Sequence, residues 1–184
     1  MIQKLKRAVM NRFKEELKSS EFGQLIQYEF HSQALYTNLY IQELMIADEN
    51  RVNFYYEGIR RHIMPGDIVV DLGTGTGILS FFAAQQNPKM IYAIDYSDFI
   101  SVAEQIAKHN KIENITFLKM NSREFNPDEK VDVILHEQMG HALLEENMVA
   151  NILDLKKRLL NENGRILPGK FELFLEPVCL KNHY

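Results

Sequence analysis

Residues 69–77 read Val-Val-Asp-Leu-Gly-Thr-Gly-Thr-Gly, an apolar run that leads directly into a loop with three glycines. Glycine adopts positive φ angles without strain and lets backbone N–H groups come close to a ligand. A loop at the carboxyl end of the first strand lies where open α/β sheets bind their ligands. The dinucleotide fingerprint is excluded because Ile78 replaces its last glycine, and a P-loop is excluded because no Gly-Lys-Ser/Thr follows. A tight strand–helix turn that binds nothing remains the alternative.

From residue 68 onward, short apolar runs alternate with segments of helical period. This alternation predicts βαβ units and a mostly parallel sheet of the α/β class, covered by helices on both faces. The predicted strands are residues 68–72, 90–94, 115–118, 131–135, 165–168 and 171–180. The predicted helices are residues 77–86, 99–108 and 146–160, with Asn163-Gly164 as the last stop signal. The basic run Lys-Lys-Arg at residues 156–158 is interpreted as the solvated C-terminal charge of the last helix.

Residues 1–63 are predicted to be helical, because apolar side chains recur there every three or four positions. Asp48 is the expected N-cap of a helix from Glu49 to His62. The turn sequence Met-Pro-Gly-Asp at residues 64–67 then closes this region. We therefore expect two parts, a helical region of residues 1–63 and a ligand-binding domain of residues 64–184.

Length and composition are those of an ordinary globular protein and exclude several other classes. The chain has 184 residues, with 21 basic against 25 acidic side chains, so its net charge is −4. This mildly acidic balance argues against a nucleic-acid partner, and no apolar run reaches the ~20 residues of a membrane span. The single cysteine, Cys179, excludes an intrachain disulfide and a cysteine-based zinc site. Because no apolar signal segment follows the basic N-terminus, the expected location is the cytoplasm.

The second predicted strand leads into Asp95, 22 residues after Gly73. In doubly wound folds that bind nucleosides, a carboxylate at this position accepts hydroxyl groups of the ribose. The alternative is an exposed carboxylate in a turn. Together with the glycine loop, Asp95 favours a nucleoside ligand.

Two carboxylates follow the fourth predicted strand, Glu137 and Glu146, with Gly140 between them for a turn. Carboxylates that come together repel each other, so the pKa of one rises unless a cation binds between them. A guanidinium suits that place because it is planar, permanently charged and a bidentate donor. His136 and His141 are five positions apart rather than four, which argues against a zincin-type site, and we expect no metal.

The glycine loop and the carboxylate after it resemble motifs of the S-adenosylmethionine-dependent class I methyltransferases, which have a Rossmann-like, doubly wound sheet. Residues 69–77 look like the first motif of that class, and residues 94–97, Ile-Asp-Tyr-Ser, look like its ribose motif. The resemblance implies S-adenosylmethionine as the cofactor, with the loop cradling its methionine part and its ribose. The implied cofactor-binding residues in these motifs are Asp71, Gly73, Gly75, Asp95 and Tyr96.

The acidic loop resembles the double-glutamate loop of the protein arginine methyltransferases, whose pattern is Ser-Glu-Trp-Met-Gly-Tyr followed by Tyr-Glu-Ser-Met. Glu137 matches the first glutamate, and Met139-Gly140 match the Met-Gly. Glu146 matches the second glutamate, because Asn147-Met148 fall on Ser-Met. The resemblance implies that Glu137 and Glu146 are catalytic residues that clamp and polarise an arginine guanidinium, with one nitrogen aimed at the sulfonium methyl group.

The likeness extends on both sides of these motifs. Residues 42–51 look like the family segment in which an arginine holds the carboxylate of the cofactor, and Arg51 falls on that arginine. We therefore expect the helical region 1–63 to cap the cofactor. The remaining implied cofactor contacts are Tyr36 and Met45 before the sheet, and Ser122 and Arg123 where the family contacts adenine.

Four features depart from the arginine methyltransferase pattern. Gln138 replaces a tryptophan, His141 replaces a tyrosine, and Arg123 stands where a glutamate contacts adenine. The family continues into a β-barrel substrate domain with a dimerisation arm, and we expect that barrel to be absent from this chain. A methyltransferase for a small molecule or another protein side chain stays open, as does a non-catalytic cofactor-binding subunit or fragment. The methyl acceptor, protein or small molecule, and a homodimer stay open as well.

Overall fold

The computed structural model describes residues 38–139 and 147–177 of the 184-residue chain. The chain divides into two compact units, Met1–Val52 and Asn53–Tyr184. Two consecutive helices open the described part, α1 (Leu39–Ala47) and α2 (Glu49–His62). Within the two described ranges, no helix is long and apolar enough to cross a membrane.

One sheet of five parallel strands forms the centre of the second unit. Its strands in chain order are β1 (Ile68–Leu72), β2 (Met90–Asp95), β3 (Ile115–Lys119), β4 (Val131–His136) and β5 (Leu160–Leu167). In space they lie in the order β3-β2-β1-β4-β5, and every neighbouring pair is parallel. The predicted α/β fold with a Rossmann-like parallel sheet is therefore confirmed.

The direction in which strands are added to the sheet changes at β1. The chain builds the sheet outward from β1 through β2 and β3, and then returns to add β4 and β5 on the other side. Sheets of this kind bind ligands outside the carboxyl ends of the strands where the order reverses. Leu72 at the end of β1 pairs with both Ile94 of β2 and His136 of β4. The loops that follow these three strands consequently begin side by side.

Apolar cores lie on both faces of the sheet, because side chains alternate along each strand. The connecting elements are α3 (Ile78–Ala84), α4 (Phe99–His109), α5 (Met148–Leu159) and a 3₁₀ turn (Ser122–Glu124). Val70 packs in the core that contains Leu155 of α5. Its neighbour Val69 packs in the other core, together with Ile59 of α2. All four side chains are buried, so β1, which leads into the glycine loop, is packed on both faces of the sheet.

Most predicted elements are confirmed, and two predictions about the last third of the chain are wrong. The predicted strands 68–72, 90–94, 115–118 and 131–135 match β1 to β4 to within one residue. Residues 171–177, predicted as part of a strand 171–180, form no strand, and residues 178–180 lie outside the described ranges. Asn163-Gly164, predicted to end a helix, lies inside β5. Helix α5 already ends at Leu159 because the next residue, Leu160, pairs with Val131 of β4.

The predicted helix Glu49–His62 is confirmed with its N-cap. The N–H of Arg51 donates a hydrogen bond to Oδ1 of Asp48 at 3.1 Å, which satisfies one of the unpaired donors of the first turn. Residues 1–37 lie outside the described ranges. The division at residue 63 and the capping role of the helical region stay predictions.

Candidate cofactor-binding site

The loop after β1 is a tight turn whose glycines hold a backbone that other residues adopt only with strain. Gly73 has a φ of 72° and Gly77 a φ of 87°, both in the left-handed region. A Cβ on Gly77 would lie 2.8 Å from the ring of Phe81, so a larger residue would displace that ring. The N–H groups of Gly73 and Thr74 both donate to the carbonyl of Ile94, at 2.9 Å and 3.1 Å. The glycine loop is therefore fixed to the end of β2.

Asp71, a buried residue of β1, forms hydrogen bonds to both the glycine loop and α3. Its Oδ2 accepts hydrogen bonds from the hydroxyls of Thr74 and Ser80, each at 2.6 Å. Its Oδ1 is buried and has no hydrogen-bond partner among the described residues. Burial raises the pKa of Asp71 to about 6, although both hydroxyls act in the opposite direction. Asp71 therefore anchors the loop internally, and its direct contact with a cofactor stays a prediction.

Asp95, at the end of β2, presents the carboxylate that was predicted to bind a ribose. Its Oδ2 accepts from the N–H of Gly75 at 2.8 Å, and its Oδ1 accepts from the N–H of Ser97 at 2.7 Å. A carboxylate oxygen has two lone pairs, so each oxygen keeps the capacity to accept one hydroxyl. The neighbouring Tyr96 is 49% exposed. This acceptor capacity is what the predicted contact with a ribose requires, and the contact itself stays a prediction.

The 3₁₀ turn after β3 contains the two residues predicted to contact adenine. Ser122 is buried, whereas Arg123 is exposed and its N–H donates to Oδ1 of Asn121 at 3.0 Å. The N–H of Met120, just before the turn, donates to the carbonyl of Asp95 at 3.0 Å. The turn therefore begins beside the residue predicted to hold the ribose, where the base of a nucleoside would continue.

Arg158 packs against this same turn, and its prediction as part of a solvated helix face is wrong. Its guanidinium forms an ion pair with Asp154 at 2.6 Å and donates to the carbonyls of Ser122 and Phe125. Only 26% of the side chain is exposed. The helical period identified its helix correctly, but the two carbonyls lie 36 and 33 residues earlier in the chain. Nothing in the local pattern of residues 156–158 indicates such distant partners.

Glu137 directly follows β4 and is partly buried. The N–H of Met139 lies 3.4 Å from its Oε1, a weak hydrogen bond within the loop. The preceding residue, His136, is buried, and its Nε2 donates to the carbonyl of Pro168 at 3.1 Å, since a carbonyl only accepts. Burial lowers the pKa of His136. The start of the acidic loop is thus held to the end of β5 by a neutral imidazole.

Glu146 lies outside the described residues, so its approach to Glu137 stays a prediction. Gln138 nevertheless shows that the acidic loop meets the glycine loop. A Cβ on Gly73 would lie 3.8 Å from Cγ of Gln138. The side-chain oxygen of Gln138 is buried and has no hydrogen-bond partner among the described residues. The side chain beside the first glutamate therefore lies close to the predicted cofactor loop.

The contacts predicted before the sheet belong to the first unit. The guanidinium of Arg51 donates to the carbonyl of Met45 at 2.8 Å, and both side chains are partly buried. Tyr36 lies outside the described residues. Contact of these three residues with the cofactor stays a prediction. In the part of the chain that the structure describes, no group of three His, Cys, Asp or Glu residues is placed to hold a metal ion.

A family model described as a methyltransferase domain matches residues 63–183. The chain belongs to this family. It is 38% identical over 158 residues to the probable protein arginine N-methyltransferase 6 of Arabidopsis thaliana, a match that covers 84% of this chain and 36% of the relative. It is also 38% identical to protein arginine N-methyltransferase 6 of Danio rerio, over 78% of this chain and 42% of the relative. The chain thus spans about two fifths of the length of these relatives.

Solved structures of arginine methyltransferases share the fold of this chain. Protein arginine methyltransferase 10 of Arabidopsis thaliana superposes with a TM-score of 0.68 and 30% identity, over 72% of this chain and 39% of the other. The Trypanosoma brucei PRMT1 enzyme–prozyme complex with AdoHcy also gives a TM-score of 0.68, with 33% identity over 71% and 42% of the two chains. The predicted class, a methyltransferase that resembles the cofactor-binding domain of the protein arginine methyltransferases, is confirmed.

Proposed function

We propose that this chain is the S-adenosylmethionine-binding part of a protein arginine N-methyltransferase. The observation that carries the proposal is the meeting of two loops, one with the glycines after β1 and one with Glu137 after β4. Gln138 lies against Gly73 at this meeting point. The arginine methyltransferase relatives, 34–38% identical over about four fifths of the chain, support the choice of substrate class.

The proposal assigns the groups that the cofactor needs to residues that the structure describes. S-adenosylmethionine, when bound, supplies a methyl group on a positively charged sulfur. Asp95 would accept the two ribose hydroxyls, and the turn that contains Ser122 would lie against the base. Arg51 would pair with the carboxylate of the methionine part, as its place in the family pattern implies. An elongated ligand held at β2 by its ribose would cross the glycine loop and reach Glu137 with its sulfur end.

Glu137 and Glu146 would act on the methyl acceptor. Two carboxylates bind a guanidinium through paired, charge-assisted hydrogen bonds and fix the direction of its nitrogens. Holding one nitrogen in line with the reacting methyl group supplies much of the acceleration in such transfers. The same carboxylates would accept the proton that the nitrogen releases when it takes the methyl group. Cytoplasmic location, a protein rather than small-molecule acceptor, and a homodimer belong to the proposal as predictions.

The first prediction tests both glutamates separately. We expect Glu137→Gln and Glu146→Gln each to lower methyl transfer to an arginine-rich peptide by roughly 100-fold or more, because a neutral amide neither attracts the cation nor accepts the proton. The affinity for S-adenosylhomocysteine should change by less than about 3-fold, since neither glutamate is assigned to the cofactor. Radiolabelled methyl transfer and calorimetry measure the two quantities.

Glu104→Gln, an equivalent change on the exposed face of α4, is the matched control and should leave both quantities unchanged. Full turnover in both glutamate variants would show that the acidic loop is not catalytic. Transfer by the wild type to small cationic molecules but not to the peptide would favour the small-molecule methyltransferase. Binding of the cofactor without any transfer would favour a non-catalytic cofactor-binding subunit or fragment.

A further inference from the structure

The guanidinium of Arg158 in α5 donates hydrogen bonds to Asp154 on the same helix and to residues 122–126. Its Nε donates to both carboxylate oxygens of Asp154 at 3.0 Å, and its Nη2 donates to Oδ2 of Asp154 at 2.6 Å. Nη1 donates to the carbonyl of Phe125 at 2.8 Å and to Oδ1 of Asn126 at 3.0 Å. Nη2 also donates to the carbonyl of Ser122 at 3.0 Å. A planar guanidinium with five fixed donors is the side chain that can bind these acceptors together.

The carbonyls that Arg158 binds lie at the two ends of the 3₁₀ turn. Ser122 opens the turn and Phe125 follows its last residue, so the guanidinium bridges the turn from start to finish. Phe125 is itself buried, with its ring centroid 5.0 Å from that of Tyr92 in β2. The turn is therefore held by one cation and one core side chain, both of which fix backbone positions.

The other side of the same segment is attached to the predicted ribose site. The N–H of Met120 donates to the carbonyl of Asp95 at 3.0 Å, two residues before Ser122. The segment between these anchors is therefore confined at both ends. A shift of the backbone between Met120 and Phe125 toward a ligand would strain the hydrogen bonds at its two ends.

We propose that Arg158 is a positioning residue that sets the selectivity for the cofactor's base by fixing the turn at residues 122–124 from behind. This inference rests on the proposed binding of S-adenosylmethionine, and it assigns Arg158 no contact with the ligand. Asp154 orients the guanidinium by the paired hydrogen bonds to Nε and Nη2. A lysine at position 158 supplies one compact ammonium and leaves most of these acceptors unbound.

The test compares two ligands that differ only at the base, S-adenosylhomocysteine and S-inosylhomocysteine. Calorimetry gives the affinity ratio of the two ligands for the wild type, Arg158→Lys and Asp154→Asn. We expect the ratio to fall by roughly 10-fold in Arg158→Lys, because a mobile turn no longer distinguishes donor from acceptor on the base. In Asp154→Asn, which keeps the guanidinium but loses its charged partner, the ratio should fall by about 3-fold.

Arg60→Lys is the matched control, because Arg60 also binds a carboxylate on its own helix, Glu57 at 2.8 Å, but at an exposed position. The affinity ratio of the two ligands for Arg60→Lys should equal that for the wild type. A lowered melting temperature with an unchanged ratio in Arg158→Lys would overturn the proposal, because a purely structural role changes stability alone. If Arg158→Lys does not fold, an unchanged ratio in Asp154→Asn overturns it. Failure of the wild type to bind either ligand would instead overturn the cofactor assignment, and this inference with it.

Discussion

Among the described residues, Asp71 is the one whose environment raises its pKa strongly. It is completely buried in β1, and one of its oxygens has no hydrogen-bond partner among the described residues. Desolvation disfavours a charged carboxylate, which outweighs the two hydroxyl donors and raises the pKa to about 6. The same group anchors the glycine loop, so its protonation bears directly on the stability of the predicted cofactor site.

We expect the difference in the free energy of unfolding between the wild type and Asp71→Asn to depend on pH between 3.8 and about 6. Because the folded-state pKa is raised above the ordinary 3.8, the contribution of Asp71 is fully present below 3.8 and lost as the pH rises through about 6. The free energy of unfolding of the wild type, relative to Asp71→Asn, should fall by on the order of 3 kcal/mol across the window. Urea unfolding of both proteins at about pH 4, 5, 6 and 7 measures it, and a constant difference would contradict the raised pKa.

The residues of the site were predictable to different extents. Asp95 and Glu137 follow apolar strands, and a short polar stretch after a buried strand is a local signal that the sequence displays directly. The position of Gln138 against Gly73 depends on which strands are neighbours, which the local pattern does not contain. Arg158 was misassigned for the same reason, since its helix was recognised and its partners on the distant turn were not.

Helix α2 shows how an element follows from local signals alone. Its N-cap, Asp48, and its bounds, Glu49–His62, were predicted from the sequence and are observed. We expect Asp48→Ala to lower the free energy of unfolding by about 1 kcal/mol, because the N–H of Arg51 loses its acceptor. Asp48→Ser, which keeps a side-chain oxygen that caps helices well, should cost only a few tenths of a kcal/mol. Equal losses in both variants, measured by urea unfolding, would show that the cap contributes nothing.

Elements at the end of the described chain follow from tertiary pairing rather than from local signals. Asn163-Gly164 has the composition of a helix stop, yet it lies inside β5, between Leu160 and Arg165, which both pair with β4. The pairing is irregular at this point, with Leu160 opposite Val131 and Arg165 opposite Val133. Residues 171–177 have the apolar pattern of a strand but no neighbouring strand among the described residues. A strand pattern produces a strand only where an adjacent strand supplies hydrogen bonds.

The order of the strands in the sheet brings motifs that are far apart in the sequence to neighbouring positions. Alternating strands and helices predict a parallel sheet, but they do not determine which strands lie beside β1. The observed order places β2 on one side of β1 and β4 on the other, so Asp95 and Glu137 flank the glycine loop. A ligand bound at this edge would lie at the ends of three strands and would therefore stabilise the folded sheet.

This linkage gives the last prediction. A ligand that binds only the folded state adds RT ln(1 + [L]/Kd) to the free energy of unfolding, so S-adenosylhomocysteine at about 100 times its Kd should add about 2.7 kcal/mol. Asp95→Asn should weaken binding roughly 10- to 100-fold by losing charge-assisted hydrogen bonds to the ribose, and at the same ligand concentration the gain should fall to about 0.4–1.4 kcal/mol. Asp98→Asn, three residues further on and exposed, is the control and should keep the full gain. If the ligand raises the free energy of unfolding of Asp95→Asn as much as that of the wild type, Asp95 does not bind the ribose. If the ligand does not raise the free energy of unfolding of the wild type, the cofactor assignment is contradicted.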